Sequence, residues 1–149
     1  MFRIEYKIIK EQFQEIEYIS DDEIRYDFLS GNVSLFSFNA KIEIEWEWLP
    51  LLDFAYCLQM IISNLKANDT AKEYFEFTEN SETLEFLKQR EQLKIVASFS
   101  PKVIETTFVD FEKAVYDFHL DISEYVRKNI LGEPPSVLLK YLSVKEKSE

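Results

Sequence analysis

Residues 2 to 9, FRIEYKII, set Phe2, Ile4, Tyr6 and Ile8 against Arg3, Glu5 and Lys7, the two-residue period of a half-buried strand. Residues 13 to 19, FQEIEYI, space Phe13, Ile16 and Ile19 less regularly and suit a strand with a fault or a short helical turn, the strand being favoured. An acidic turn, Ser20-Asp21-Asp22-Glu23, precedes the alternating segment 24 to 29, IRYDFL. Ser30-Gly31-Asn32 then supplies turn chemistry, which predicts a hairpin. From Val33 to Trp48 the chain reads as one extended segment whose apolar positions change from odd to even numbers between Leu35 and Phe36. A slip of one residue is what a β-bulge produces, and a run so much longer than the usual ~5–6 residues predicts strong twist.

The period then changes. Pro50 suits a first helical turn, and Leu51, Ala55, Leu58, Ile62 and Leu65 follow at spacings of three and four, predicting an amphipathic helix over 50 to 67. Three short strands come next, at 73 to 78, 83 to 87 and 92 to 99, as a meander. Val103 to Thr107 fits either a last strand or a helix entrance. Phe108, Phe111, Val115, Phe118, Ile122 and Tyr125 mark the longest helix, with Thr107 placed to cap Asp110 and Gly132 placed to end it before Pro134-Pro135.

This order predicts an α+β domain, a largely antiparallel twisted sheet with two main helices on one face. One domain spans 1–149, with a core over 1–132 and a tail over 133–149 whose apolar piece has the length of a short helix. With helices on one face, the other face of the sheet meets water. Residues 41 to 48, KIEIEWEW, carry that signature: Ile42, Ile44, Trp46 and Trp48 on one side, Glu43, Glu45 and Glu47 on the other.

Composition narrows the chemistry. At 149 residues, 46% hydrophobic and 15% aromatic, the chain can build a core without disulfides or a structural metal. Only two glycines, Gly31 and Gly132, occur, so no Gly-rich phosphate cradle or dinucleotide fingerprint can be written. The single cysteine, Cys57, sits in an apolar run and points to a reducing compartment. Met1 to Glu5 lead straight into charged alternation without an apolar leader, and the apolar region 48 to 62 is broken by Asp53 and Gln59. A cytoplasmic protein without a membrane span is therefore expected. The net charge of −11 opposes nucleic acid and anionic membranes and favours encounter with a basic partner.

No catalytic, metal or cofactor set is expected. His119 is the only histidine, placed off the apolar stripe of the last helix, where it reads as a surface residue; pairing with Glu112 or Asp121 is the catalytic alternative. Cys57 reads as a small buried hydrophobe. The carboxylates Asp110, Glu112, Asp117 and Asp121 match no metal-binding motif. The glutamate ladder is the remaining candidate: Glu43, Glu45 and Glu47, with Asp21, Asp22 and Glu23, as an anionic face for a basic protein, unless Lys7, Arg25, Lys41 and Lys94 neutralise it. Trp46 and Trp48 are expected to anchor the strand on the first helix, with Trp48 as an interface anchor in the functional reading.

In size, acidity, scarcity of glycine and aromatic-rich sheet, the stretches KIEIEWEWLPLLDF (41 to 54) and EYFEFTENSETLEF (73 to 86) resemble the small acidic immunity proteins of bacterial polymorphic toxin systems. The resemblance implies a non-enzymatic inhibitor of a basic toxin or nuclease domain. Two other readings stand beside it. One is a ligand-binding or enzymatic domain with a pocket lined by Phe36, Phe38, Tyr74, Phe75 and Phe77; the other is a homodimer joined through the tail after Pro135.

Overall fold

A computed structural model describes residues 1–144. All strand pairing is antiparallel, and the strands divide into two sheets. The first, β1 (Phe2–Glu11), β2 (Leu29–Ser37) and β3 (Lys41–Pro50), is a meander in the order β1-β2-β3; the second, β4 (Thr70–Glu76), β5 (Thr83–Gln89), β6 (Gln92–Ala97) and β7 (Val103–Thr107), is a meander in chain order. Between and after them come α1 (Asp21–Tyr26), α2 (Leu51–Leu65), α3 (Phe108–Lys128) and α4 (Ser136–Leu142). The α+β class is as expected.

The predicted long helices form as their apolar stripes require. Leu51, Ala55, Leu58, Ile62 and Leu65 of α2 are all buried, as are Phe108, Phe111, Val115, Phe118 and Ile122 of α3. The Thr107 side chain accepts a hydrogen bond from the Asp110 amide at 3.1 Å, the cap the spacing predicts. Val103 to Thr107 resolves as a strand, β7.

Three expectations fail in the N-terminal half. Residues 13 to 19 are not the favoured strand but the alternative short helical turn, a single 3-10 turn at Ile16–Tyr18. Residues 24 to 29 do not form a hairpin arm, because Ser20 and Glu23 close a reciprocal capping box that starts α1. A Ser-x-x-Glu spacing satisfies two amides at once, and it outweighs the weak alternation of Ile24, Tyr26 and Phe28. Gly31 is consequently inside β2 rather than at a turn. The third failure is the single segment from Val33 to Trp48, which is two strands turning at Phe38-Asn39-Ala40. The odd-to-even change marks that reversal, not a bulge.

A bulge does exist, further on. Gly31 pairs with Leu49 and Val33 with Ile44, so Asn32 alone faces Glu45 to Trp48. Glu47 takes a left-handed φ of 68°, and its N–H donates to the Asn32 side-chain oxygen at 2.8 Å. This fold in β3 brings Trp46 and Trp48 into a stack with ring centroids 5.3 Å apart. Trp46 meets Phe77 and Phe99 edge-on, at 4.9 and 4.7 Å. Trp46 therefore anchors β3 to the loops of the second sheet. Phe54 of α2 continues the cluster to Phe75, Phe77 and Phe118.

Helix α3 lies along β1 in step with it: Phe2 contacts Phe111, Tyr6 contacts Phe118, and the tyrosine hydroxyls of Tyr6 and Tyr125 donate to Asp121 and Glu11. At the far edge, Asn39 joins the sheets, donating to the Val103 carbonyl at 3.1 Å and accepting from the Glu105 amide at 3.2 Å. α4 folds back so that Leu138, Tyr141 and Leu142 are buried. Leu139 of the same helix stays 37% exposed, and residues 145–149 lie outside the described region.

Gly31 is fixed by close approach, since a Cβ there would fall 1.9 Å from the Lys7 carbonyl oxygen. Backbone must move to admit it. Gly31→Ala should destabilise the protein by roughly 3 kcal/mol, the upper part of the overpacking range. Gly132→Ala, with open space around it but a φ of 81°, should cost only about 1 kcal/mol; urea unfolding midpoints compare the two.

Candidate functional site

The glutamate ladder occupies the outer face of the first sheet, with Ile42 and Ile44 buried beneath. Its charges are partly answered. Glu43 pairs with Lys41 and lies opposite Ser34, which separates it from Glu5 on β1; Glu5 in turn pairs with Arg3 at 2.7 Å. Phe36 lies between the same two cations, 4.6 Å from Arg3 and 5.0 Å from Lys41. Of the four cations expected to relieve the ladder, only Lys41 does so. Lys7 stands opposite Asn32, Lys94 belongs to the second sheet with Glu105, and Arg25 lies on α1. Glu45 and Glu47 remain exposed, Glu47 redirected by the bulge.

The α1 carboxylates are employed differently from the ladder. Glu23 closes the cap with Ser20. Asp21 accepts from the Tyr141 hydroxyl at 2.8 Å and faces Lys140 at 3.6 Å, tying α1 to α4. Asp22 is exposed. Trp48 is half-buried in its stack with Trp46.

His119 is not on the surface as expected: it is 0% exposed and held 2.7 Å from the Tyr141 carbonyl through Nε2. A carbonyl only accepts, so Nε2 carries the proton and Nδ1 is left as a buried, unmatched acceptor. Burial pushes the imidazole below its ordinary 6.5, the carbonyl partner opposing in part. Glu112 is buried too, but its partner is Lys66. His119 therefore clamps α3 to α4, which explains why it lies off the main stripe: its neighbour is the last helix.

The five aromatic residues proposed to line a pocket do not converge. Phe75 and Phe77 are in the core, Phe36 lies under its cations, and Phe38 is 74% exposed at the β2–β3 turn. Tyr74 and Phe75 do reach a cleft of about 500 Å³ between α1, α2, β4 and α4, whose walls also include Tyr56, Cys57, Met60 and Tyr141. Its charged lining is Asp21, Arg25, Asp53, Glu73, Glu76 and Lys140. Within it, burial raises the Asp53 carboxyl to about 6, with Arg25 and the Cys57 thiol pulling the other way. Burial, then the neighbouring Asp53 charge, pushes the Cys57 thiol up to about 12, so it is not a nucleophile near neutral pH. Asp53 in the apolar 50 to 67 stretch was the sequence signal for this cleft; its companions from α1, β4 and α4 are brought in only by the fold.

Among the described residues, no three His, Cys, Asp or Glu side chains are placed to hold a metal ion, and no helix is long and apolar enough to cross a membrane. No family model, curated protein or solved structure matches the chain.

Two pH effects of opposite sign follow. Asp53 titrates near 3.8 when unfolded and near 6 when folded, so its stabilising protonation is complete below the lower value and lost as pH rises through the upper. Asp53→Asn should therefore stabilise the protein at neutral pH by roughly 2 kcal/mol and change little in mild acid, as read from thermal melts. His119, lowered from 6.5, contributes stability that is present above that value and lost as pH falls through its folded value. His119→Gln should flatten that part of the acid-side loss in the same melts.

Proposed function

We propose that this chain is a non-enzymatic protein-binding module, an immunity-type inhibitor that covers a basic toxin or nuclease domain. The observation that carries the reading is the exposed carboxylate face of the first sheet, Glu43, Glu45 and Glu47, in a chain of net charge −11. Such a face accelerates encounter with a basic surface and fixes register on it, while contributing less to net affinity. The internal employment of His119 and Cys57 supports the same reading, because both are committed to packing contacts. The second reading, a small-ligand domain, is favoured by the cleft between α2 and β4.

The test is binding to a purified basic toxin or nuclease domain. Replacing Glu43, Glu45 and Glu47 together by Lys should leave the fold intact by circular dichroism and slow association by about tenfold or more at low salt. An unchanged association rate in stopped flow would remove the ladder from the interface.

A further inference from the structure

Asp53 is deeply enclosed and poorly matched. It is 8% exposed, opens onto the cleft, and among the described residues its carboxylate receives one hydrogen bond, from the Cys57 thiol at 3.8 Å. A thiol is a weak donor, and an ionised carboxylate has about four acceptor sites. Two other acids of the cleft are better served: Asp21 by Tyr141 and Lys140, Glu73 by the Asn64 amide at 2.9 Å. Arg25 acts on Asp53 through space but makes no ion pair with it among the described residues.

The cleft walls suit a positive charge. Tyr56 and Tyr141 lie 5.0 Å apart, and the protein's own ammonium groups already stand over two of the wall rings, Lys140 over Tyr141 at 4.9 Å and Lys72 over Tyr74 at 5.9 Å. Tyr74 is 56% exposed, so its ring is open to an incoming group. Aromatic faces beside a desolvated carboxylate are the usual recognition site for an organic cation. The lining carboxylates, Asp21, Asp53, Glu73 and Glu76, outnumber Arg25 and Lys140, which argues against an anionic ligand. A volume of about 500 Å³ also leaves room for an alkyl stem behind the charged head.

We infer that this cleft binds an organic monocation, an alkylammonium or guanidinium group, with Asp53 as counter-ion and the Tyr56, Tyr74 and Tyr141 rings around its stem. The group arrives on a free amine or on a lysine or arginine side chain. The inference does not rest on the protein-binding reading, since Glu43, Glu45 and Glu47 do not line the cleft.

Titration with n-butylammonium at neutral pH, followed by amide NMR, should give saturable shifts at Asp53, Cys57 and Tyr74, with n-butanol giving none. Asp53→Asn should weaken binding at least about tenfold, equal to 1.4 kcal/mol, and Arg25→Gln should strengthen it by removing the competing cation. Binding by wild type should fall as pH drops through about 6, against a background of Asp21, Arg25, Glu73, Glu76, Lys140 and Tyr141 around the same carboxylate. Tyr74→Ala, at an exposed position, should weaken binding several-fold without touching the core. N-acetyl-lysine methylamide binding as well as n-butylammonium assigns the source to a protein side chain; its exclusion assigns a free amine. Equal binding of n-butanol, or undiminished affinity in Asp53→Asn, would overturn the inference.

Discussion

The two sheets share no backbone ladder, so the fold depends on the contact of Trp46 with Phe77 and Phe99. Phe54 carries the cluster to Phe75, Phe77 and Phe118, and so from α2 to both β4 and α3. Edge-on aromatic pairs contribute about 0.5–1.5 kcal/mol each beyond their buried area, and several act together here. The bulge in β3 is part of the same device: without the extra residues between Ile44 and Leu49, the alternation of the strand would not turn two neighbouring indoles into one stack. Asn39 adds the only polar link described between the edges, at the opposite end of β3.

Where local pattern and tertiary demand agree, the elements were legible. The three- and four-residue spacing of α2 and α3 predicts both helices within a few residues of their ends, because a buried stripe that long has no alternative arrangement. The meander from β4 to β6 was readable for the matching reason, alternation broken by polar turns. The region 13 to 48 was not, since two signals competed there. Ile24, Tyr26 and Phe28 alternate like a strand, yet the Ser20–Glu23 box satisfies backbone amides that an extended chain would have left to a partner. Phe36 and Phe38 continue the apolar run of β3 while standing on the outer side of the sheet, one between cations and one exposed. Apolar identity alone misassigns such residues.

The site was legible in part. The outward glutamates follow from burial of Ile42 and Ile44, and the sequence places them correctly. It does not show that Asp21 and Glu23 are occupied by Tyr141 and Ser20, because those contacts span 120 residues in one case and form a local cap in the other. Asp53 was visible as a charged residue in an apolar helix. What surrounds it comes from three other elements, α1, β4 and α4, and no periodicity encodes their meeting. His119 was misplaced because its partner is a main-chain carbonyl of the last helix, a contact with no sequence signature.

The stacked indoles have an optical consequence. Trp46 and Trp48 are the only tryptophans in the chain, and they lie 5.3 Å apart with planes 13° from parallel. Two transition dipoles held this closely mix into a shared excited state, so their near-ultraviolet signal is a property of the pair rather than of either ring. Its loss would therefore report a change in the bulged part of β3 that holds both rings, while far-ultraviolet signal from the rest of the molecule follows the helices and strands. The protein carries a native probe that distinguishes local rearrangement of β3 from melting of its backbone.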